Sequence, residues 1–136
     1  RLEKGYLYWS SDISPVTTPL EAGLGFAIAW DKGDFIGRAA LEAQRAAGVS
    51  RRLVTLSLPG FAPLISGETV LFDGKPAASL TSGGYGHHLD RSIGFAYLPA
   101  ELASAESFVI EAYGKSYQAA RGPRCLYDAR MERLKA

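Results

Sequence analysis

Leu24, Phe26, Ile28 and Trp30 alternate with the small residues Gly25, Ala27 and Ala29. This period of two predicts a strand with one packed face and one closely covered face. Residues 1–36 as a whole read as strand and loop, with aromatics at Tyr6, Tyr8, Trp9, Phe26 and Trp30 and a turn-rich insert over 10–19. The period then changes. After Asp34, residues 35–47 are rich in alanine and stop at Gly48, which predicts a helix closed by a left-handed glycine. Beyond it, short β-prone runs recur about every eight to twelve residues between Gly and charged punctuation. They cover 52–58, 69–72, 76–82, 92–97, 108–112 and 116–121. Asp73-Gly74 predicts a tight hairpin, since both residues tolerate positive φ; Gly114-Lys115 predicts a second, and 99–102 a connecting turn. The expected fold is mainly β: an antiparallel Greek-key β-barrel over 49–136, with its tail, preceded by a strand-helix segment over 1–48.

Composition narrows the function classes. A chain of 136 residues, 47% apolar and 21% charged, suits one domain or a small domain with an appendage from a neighbour. Net charge is +1, so no broad positive surface argues for nucleic acid or an anionic membrane. The single cysteine, Cys125, has no intrachain disulfide partner. No apolar run reaches the roughly 20 residues of a membrane-spanning helix, and the opening residues lack the apolar stretch of a signal peptide. A reducing compartment is expected. The chain opens at Arg1 without an initiator methionine, so a piece of something longer is expected as well.

Few residues offer chemistry. Residues 81–88, Thr-Ser-Gly-Gly-Tyr-Gly-His-His, resemble a phosphate cradle, but a strand pattern follows where a helix is needed; a bulge or close backbone crossing is the simpler reading. His87 and His88 point to opposite faces if extended and have no third ligand at a metal spacing. Ser82, His87 and Asp90 form a triad only on paper, without a nucleophile-elbow pattern. Asp12, Asp31 and Asp34 read as solvated turn residues. Glu21 sits between a proline bend and an apolar run, so it either ties loop amides or holds a ligand. Tyr6, Tyr8 and Trp9 are either core or a stacking surface for a flat heteroaromatic. Arg124, Tyr127, Arg130 and Arg133 form a basic, aromatic tail that is either solvated or turned to an anion.

The order of segments resembles the C-terminal third of the glycine-cleavage T-protein (aminomethyltransferase) family. The matching pieces are Arg-Leu-Glu-Lys-Gly-Tyr at 1–6, Asp-Ile at 12–13, Thr-Thr-Pro-Leu-Glu-Ala-Gly-Leu at 17–24, Asp-Phe-Ile-Gly-Arg at 34–38 and Arg-Leu-Val at 52–54. They continue with Gly-Glu at 67–68, Asp-Gly at 73–74, Thr-Ser-Gly-Gly-Tyr-Gly at 81–86, Ser-Ile-Gly-Phe-Ala-Tyr-Leu-Pro at 92–99 and Leu-Tyr-Asp at 126–128. The wording of 12–36 and the Leu-Tyr-Asp ending look most like the T-protein-like module of dimethylglycine or sarcosine dehydrogenases.

This resemblance implies tetrahydrofolate-dependent transfer of an aminomethyl or methylene unit. It makes 1–48 the end of an α/β folate-binding domain and 49–136 the closing barrel. Folate contacts carry over to Tyr6 and, at the C-terminal end, to Tyr127 or Arg130; the catalytic aspartate lies upstream, so no catalytic residue and no metal ligand is expected here. FAD would belong to an upstream domain if the parent is a dehydrogenase. Expected partners are folate, a small amine and the upstream domains, with neither nucleic acid nor membrane; the expected compartment is the bacterial cytoplasm or the mitochondrial matrix. Two other readings compete: a non-catalytic docking barrel that closes a folate site or meets a partner, and a small barrel for single-stranded nucleic acid, against which the charge balance counts.

Overall fold

A computed structural model describes residues 1–135. Six strands, β1 (Arg51–Pro59), β2 (Thr69–Phe72), β3 (Lys75–Gly86), β4 (Arg91–Pro99), β5 (Ser107–Ala112) and β6 (Lys115–Gly122), close into a barrel in the order β1-β4-β3-β2-β5-β6. Every pairing is antiparallel. The hairpin-linked trio β2-β3-β4 has β1 beside β4 and β5 beside β2, two overlapping Greek keys that leave no free edge. All six runs read from the sequence are strands; five are lengthened by pairing at their ends, and β2 keeps the bounds read.

The turns explain the register. Asp73 (φ 49) and Gly74 (φ 73) sit between the paired residues Phe72 and Lys75, as a two-residue hairpin with left-handed central positions requires. In the second hairpin Ala112 pairs with Lys115, so the turn is Tyr113-Gly114, one residue earlier than the composition suggests. The glycine-rich run lies inside β3, with a register shift between Leu80 and Ser82. At Gly83 the 60–68 connection crosses so closely that an added Cβ would stand 2.6 Å from the Leu64 carbonyl carbon. That crossing, rather than a phosphate, accounts for the glycine.

Leu56, Leu58, Val70, Leu80, Leu98, Phe108 and Ile110 fill the barrel. On β4 burial does not alternate: Ser92, Ile93, Gly94, Phe95 and Ala96 are all buried. Ala96 and Leu98 belong to the interior cluster, whereas Ile93 and Phe95 do not and lie on the outer face. What covers that face is residues 1–24, which run outside β3 and β4. Burying two such side chains is worth roughly 1.5–3 kcal/mol each, and it holds this segment on the barrel.

Residues 24–30 do not form the expected strand. They make a 3-10 turn, Gly25–Ala27, followed by irregular chain; the alternation has no partner strand, and Phe26 is left 82% exposed. Helix α1 spans Arg38–Ala47, starting three residues later than the alanine-rich stretch because Gly37 at φ 90 turns the chain first. It closes on Gly48 at φ 83, buries none of its own residues, and carries an Arg38–Glu42 ion pair one turn apart. A final turn of helix, α2 (Glu132–Lys135), ends the described chain. No helix among the described residues is long and apolar enough to cross a membrane.

Substituting Gly83→Ala should destabilise the fold by about 1–3 kcal/mol, the range for forcing atoms into a packed site. Thermal denaturation measures it, and an unchanged midpoint would mean that the 60–68 connection is not seated on β3.

Candidate functional site

The site is assembled where the two terminal segments cross outside the barrel. Gly5, at φ 70, lies so close to the C-terminal segment that an added Cβ would stand 2.3 Å from the Arg124 carbonyl oxygen; only glycine satisfies both the left-handed backbone and the contact. Arg124 locks the crossing by donating from Nε to the Gly5 carbonyl at 3.2 Å and from Nη1 to the Gly23 carbonyl at 2.8 Å. Glu3 adds a second tie. Its carbonyl accepts the Leu126 and Tyr127 amides, while its Oε1 accepts the His88 and Leu89 amides of the β3-β4 connection at 2.9 and 3.0 Å.

Asp12 corrects the reading of a solvated turn carboxylate: it is 0% exposed. Oδ2 accepts the Tyr8 amide at 2.8 Å and Arg1 Nη1 at 2.9 Å, and Oδ1 accepts the Thr81 hydroxyl at 2.6 Å. Arg1 donates onward, from Nη1 to the Tyr6 carbonyl and from Nη2 to Ser82 Oγ, and the Tyr97 hydroxyl donates to the Asp12 carbonyl at 2.8 Å. A buried charge is tolerated only when paired and hydrogen-bonded in this way.

Glu21 is the loop tie rather than a free carboxylate. Oε2 accepts the Thr18 amide at 3.0 Å while Thr18 Oγ1 accepts the Glu21 amide, a capping box on one turn, and Arg51 donates to Oε1 at 3.2 Å. Burial pushes its carboxyl up, but the Thr18 amide and the Arg51 guanidinium outweigh this and hold it below its ordinary value near 4.5. Asp31 and Asp34 are exposed, as expected of turn residues.

Tyr6 is half exposed and opens on a cavity of about 330 Å³ bounded also by Lys4, Phe26, Arg124, Cys125 and Asp128. Arg124 stands 5.7 Å over the Phe26 ring. Lys4 Nζ donates to Asp128 Oδ2 at 2.9 Å and to its carbonyl at 2.8 Å, which lowers the Asp128 carboxyl and raises the Lys4 ammonium. Tyr127 does not line this cavity. Its ring meets His88 at 4.1 Å and lies near Lys4 and Arg133. Arg130 is exposed and makes no ion pair among the described residues. Tyr6 and Tyr127 thus both stand at the terminal crossing, with Lys4 near each, but only Tyr6 lines the cavity.

The histidines point apart, His87 against Tyr85 and His88 against Tyr127. Ser82 accepts from Arg1 and Asp90 accepts from the Tyr85 hydroxyl, so Ser82, His87 and Asp90 are not joined in a relay. Glu3, Asp12, Glu21 and Asp128 each accept at least two donors.

With this geometry in view, the comparisons are specific. Residues 51–128 match the glycine cleavage T-protein C-terminal barrel domain, and the chain belongs to that family. It is 43% identical over 129 residues to an aminomethyltransferase of a Nostoc species, covering 93% of this chain and 34% of that protein. It is 41% identical over 122 residues to the mitochondrial dimethylglycine dehydrogenase of Rattus norvegicus, covering 88% and 14%, and 36% identical over 137 residues to a formaldehyde-forming 4-methylaminobutanoate oxidase of Paenarthrobacter nicotinovorans, covering 99% and 17%. The crystal structure of the glycine cleavage system aminomethyltransferase T from Bartonella henselae superposes with a TM-score of 0.84 at 27% identity, over 95% of this chain and 37% of that one. The chain thus spans about a third of the aminomethyltransferase and a smaller share of the dehydrogenase and the oxidase.

Because the Glu21 carboxyl is depressed in the folded state, its contribution is present above the ordinary carboxylate value and lost as pH falls through the lower folded one. Glu21→Gln should therefore lower the melting midpoint at pH 7 and flatten its decline below about pH 4.5. Parallel melting curves of variant and parent across that range would contradict the assignment.

Proposed function

We propose that this chain is the closing C-terminal part of a tetrahydrofolate-dependent one-carbon transferase, fused to or derived from a dimethylglycine or sarcosine dehydrogenase-like flavoprotein. The observation that carries the reading is that one end region, aligned over nearly all of this chain, is common to proteins named for an aminomethyl group, for an N-methylated glycine and for formaldehyde release from a methylamine. What these share is a single carbon on an amine nitrogen.

The residues at the crossing fit part of a folate. Tyr6 and Phe26 offer flat faces with a phenol at one edge, and Lys4 and Arg124 bring positive charge to the same cavity; a cavity of about 330 Å³ is at the lower end of the roughly 300–1,000 Å³ that takes a whole small ligand. Tyr6 is the assigned contact, with Tyr127 and Arg130 as secondary ones. Tetrahydrofolate, when bound, supplies the nitrogen that accepts the carbon. This chain's residues orient and enclose it, and positioning of this kind is worth several kcal/mol of barrier. The proton-moving carboxylate belongs upstream, since Asp12, Glu21 and Asp128 are all committed as acceptors. FAD would belong to an upstream domain if the parent is a dehydrogenase, in keeping with the glycine-rich run lying within β3 and not at a helix start.

The boundary near residue 49 follows from the same reading: 1–48 end the folate-binding domain and 49–136 form the barrel with its tail. Val16, Phe26 and Ile36 are each more than four-fifths exposed, surface that the remaining two-thirds of such a protein would cover. The small amine substrate and the upstream domains are then its partners, in the bacterial cytoplasm or the mitochondrial matrix. One observation favours a purely structural role at the tail. Tyr127 is already taken up by His88 and two cations, as a docking barrel that closes the site without touching ligand would have it.

In the full-length protein Tyr6→Phe should weaken tetrahydrofolate binding roughly 2- to 10-fold, the worth of one hydrogen bond, measured by calorimetry. If both Tyr6→Phe and Tyr127→Phe leave affinity unchanged, the scaffold role alone stands. The purified 136-residue chain should show no transfer of the one-carbon unit, and turnover by it would contradict the placement of the catalytic carboxylate upstream.

A further inference from the structure

Three aromatics within four positions stand out on the outer segment: Tyr6, Tyr8 and Trp9 are 50%, 59% and 62% exposed. Exposed aromatics usually sit on adaptable loops, yet here the backbone between them is held on both sides. The Tyr6 carbonyl accepts Arg1 Nη1, the same nitrogen donates to Asp12 Oδ2, and Oδ2 also accepts the Tyr8 amide. The Tyr8 carbonyl in turn accepts the Asp12 and Ile13 amides, and Ser10 donates to the Ile13 carbonyl at 2.8 Å. The loop therefore closes around one carboxylate. That carboxylate and its arginine are pinned to β3 through Thr81 and Ser82, and the Tyr97 hydroxyl on β4 holds the Asp12 carbonyl.

A turn on an outer segment does not need a fully buried carboxylate for stability. Buried ion pairs contribute little net free energy compared with apolar packing, and their best-supported use is to select one geometry. We propose that Asp12 is a positioning residue: acting through Arg1 and the Tyr8 amide, it fixes the Tyr6 side chain at the angle at which it meets the folate. The inference rests on the assignment of Tyr6 as a ligand contact, and goes beyond it by giving a residue that touches no ligand a measurable share of the affinity.

The ligand-free consequence is direct. Asp12→Asn keeps one acceptor oxygen but loses the charge that holds Arg1, so the Tyr8 amide should exchange its hydrogen at least about 10-fold faster while amides in β5 and β6 keep their rates. In the full-length protein the same variant should raise the dissociation constant for tetrahydrofolate about 5- to 20-fold. Combined with Tyr6→Phe, it should add less than about 2-fold, because residues acting through one contact are not additive. Should Asp12→Asn fail to fold, Thr81→Val removes the Oδ1 donor while leaving the ion pair, and the same non-additivity with Tyr6→Phe is expected at smaller size. Multiplying effects, or an unchanged Tyr8 exchange rate, overturn the positioning role and leave the Tyr6 contact standing. If Tyr6→Phe alone has no effect on affinity, that contact falls and the positioning role falls with it.

Discussion

Asp12 is where the outer segment becomes part of the barrel. Its carboxylate has no solvent contact, and it is reached from the segment by Arg1 and Tyr8 and from the barrel by Thr81. Without it, the amide of Tyr8 and the guanidinium of Arg1 would lose the acceptor they share. The covering of Ile93 and Phe95 depends on the same residues staying in place. Apolar burial that holds the segment and the polar contact that sets the loop geometry thus fall on the same stretch of chain.

The barrel supplies the frame for this arrangement. A closed six-stranded sheet has no edge to fray or to pair elsewhere, and its interior is filled by aliphatic and phenylalanine side chains. Its outer surface on β3 and β4 is consequently rigid, and it carries the hydroxyls of Thr81, Ser82 and Tyr97 at fixed positions. Terminal segments laid over such a surface inherit its rigidity wherever they are hydrogen-bonded to it. Val16 and Ile36, 82% and 105% exposed, mark where these segments turn away from that surface.

How much of this was legible in the sequence follows from the range of the interactions. The six strands and the Asp73-Gly74 hairpin rest on local alternation and turn chemistry, and both are visible in a window of a few residues. The 24–30 segment has the same alternation without a neighbour to pair with, and alternation alone cannot report that. Helix α1 was readable in its body and not in its start, because Gly37 takes a left-handed conformation that its letter permits but does not demand. Asp12 was missed for a clearer reason. What buries it are Thr81 and Tyr97, 69 and 85 positions away, and no local pattern distinguishes it from the solvated Asp31 and Asp34. Glu21 was readable as a tie because half of its environment, Thr18, lies three residues before it.

The contact of Gly5 with Arg124 joins positions 119 residues apart. Contacts of such long sequence separation close late, since ordering the intervening chain must come first. The seam of the barrel, where Thr55 of β1 meets Gly122 of β6, lies two residues from Arg124, so whatever tightens the seam also draws the clasp of Gly5 and Arg124 over it.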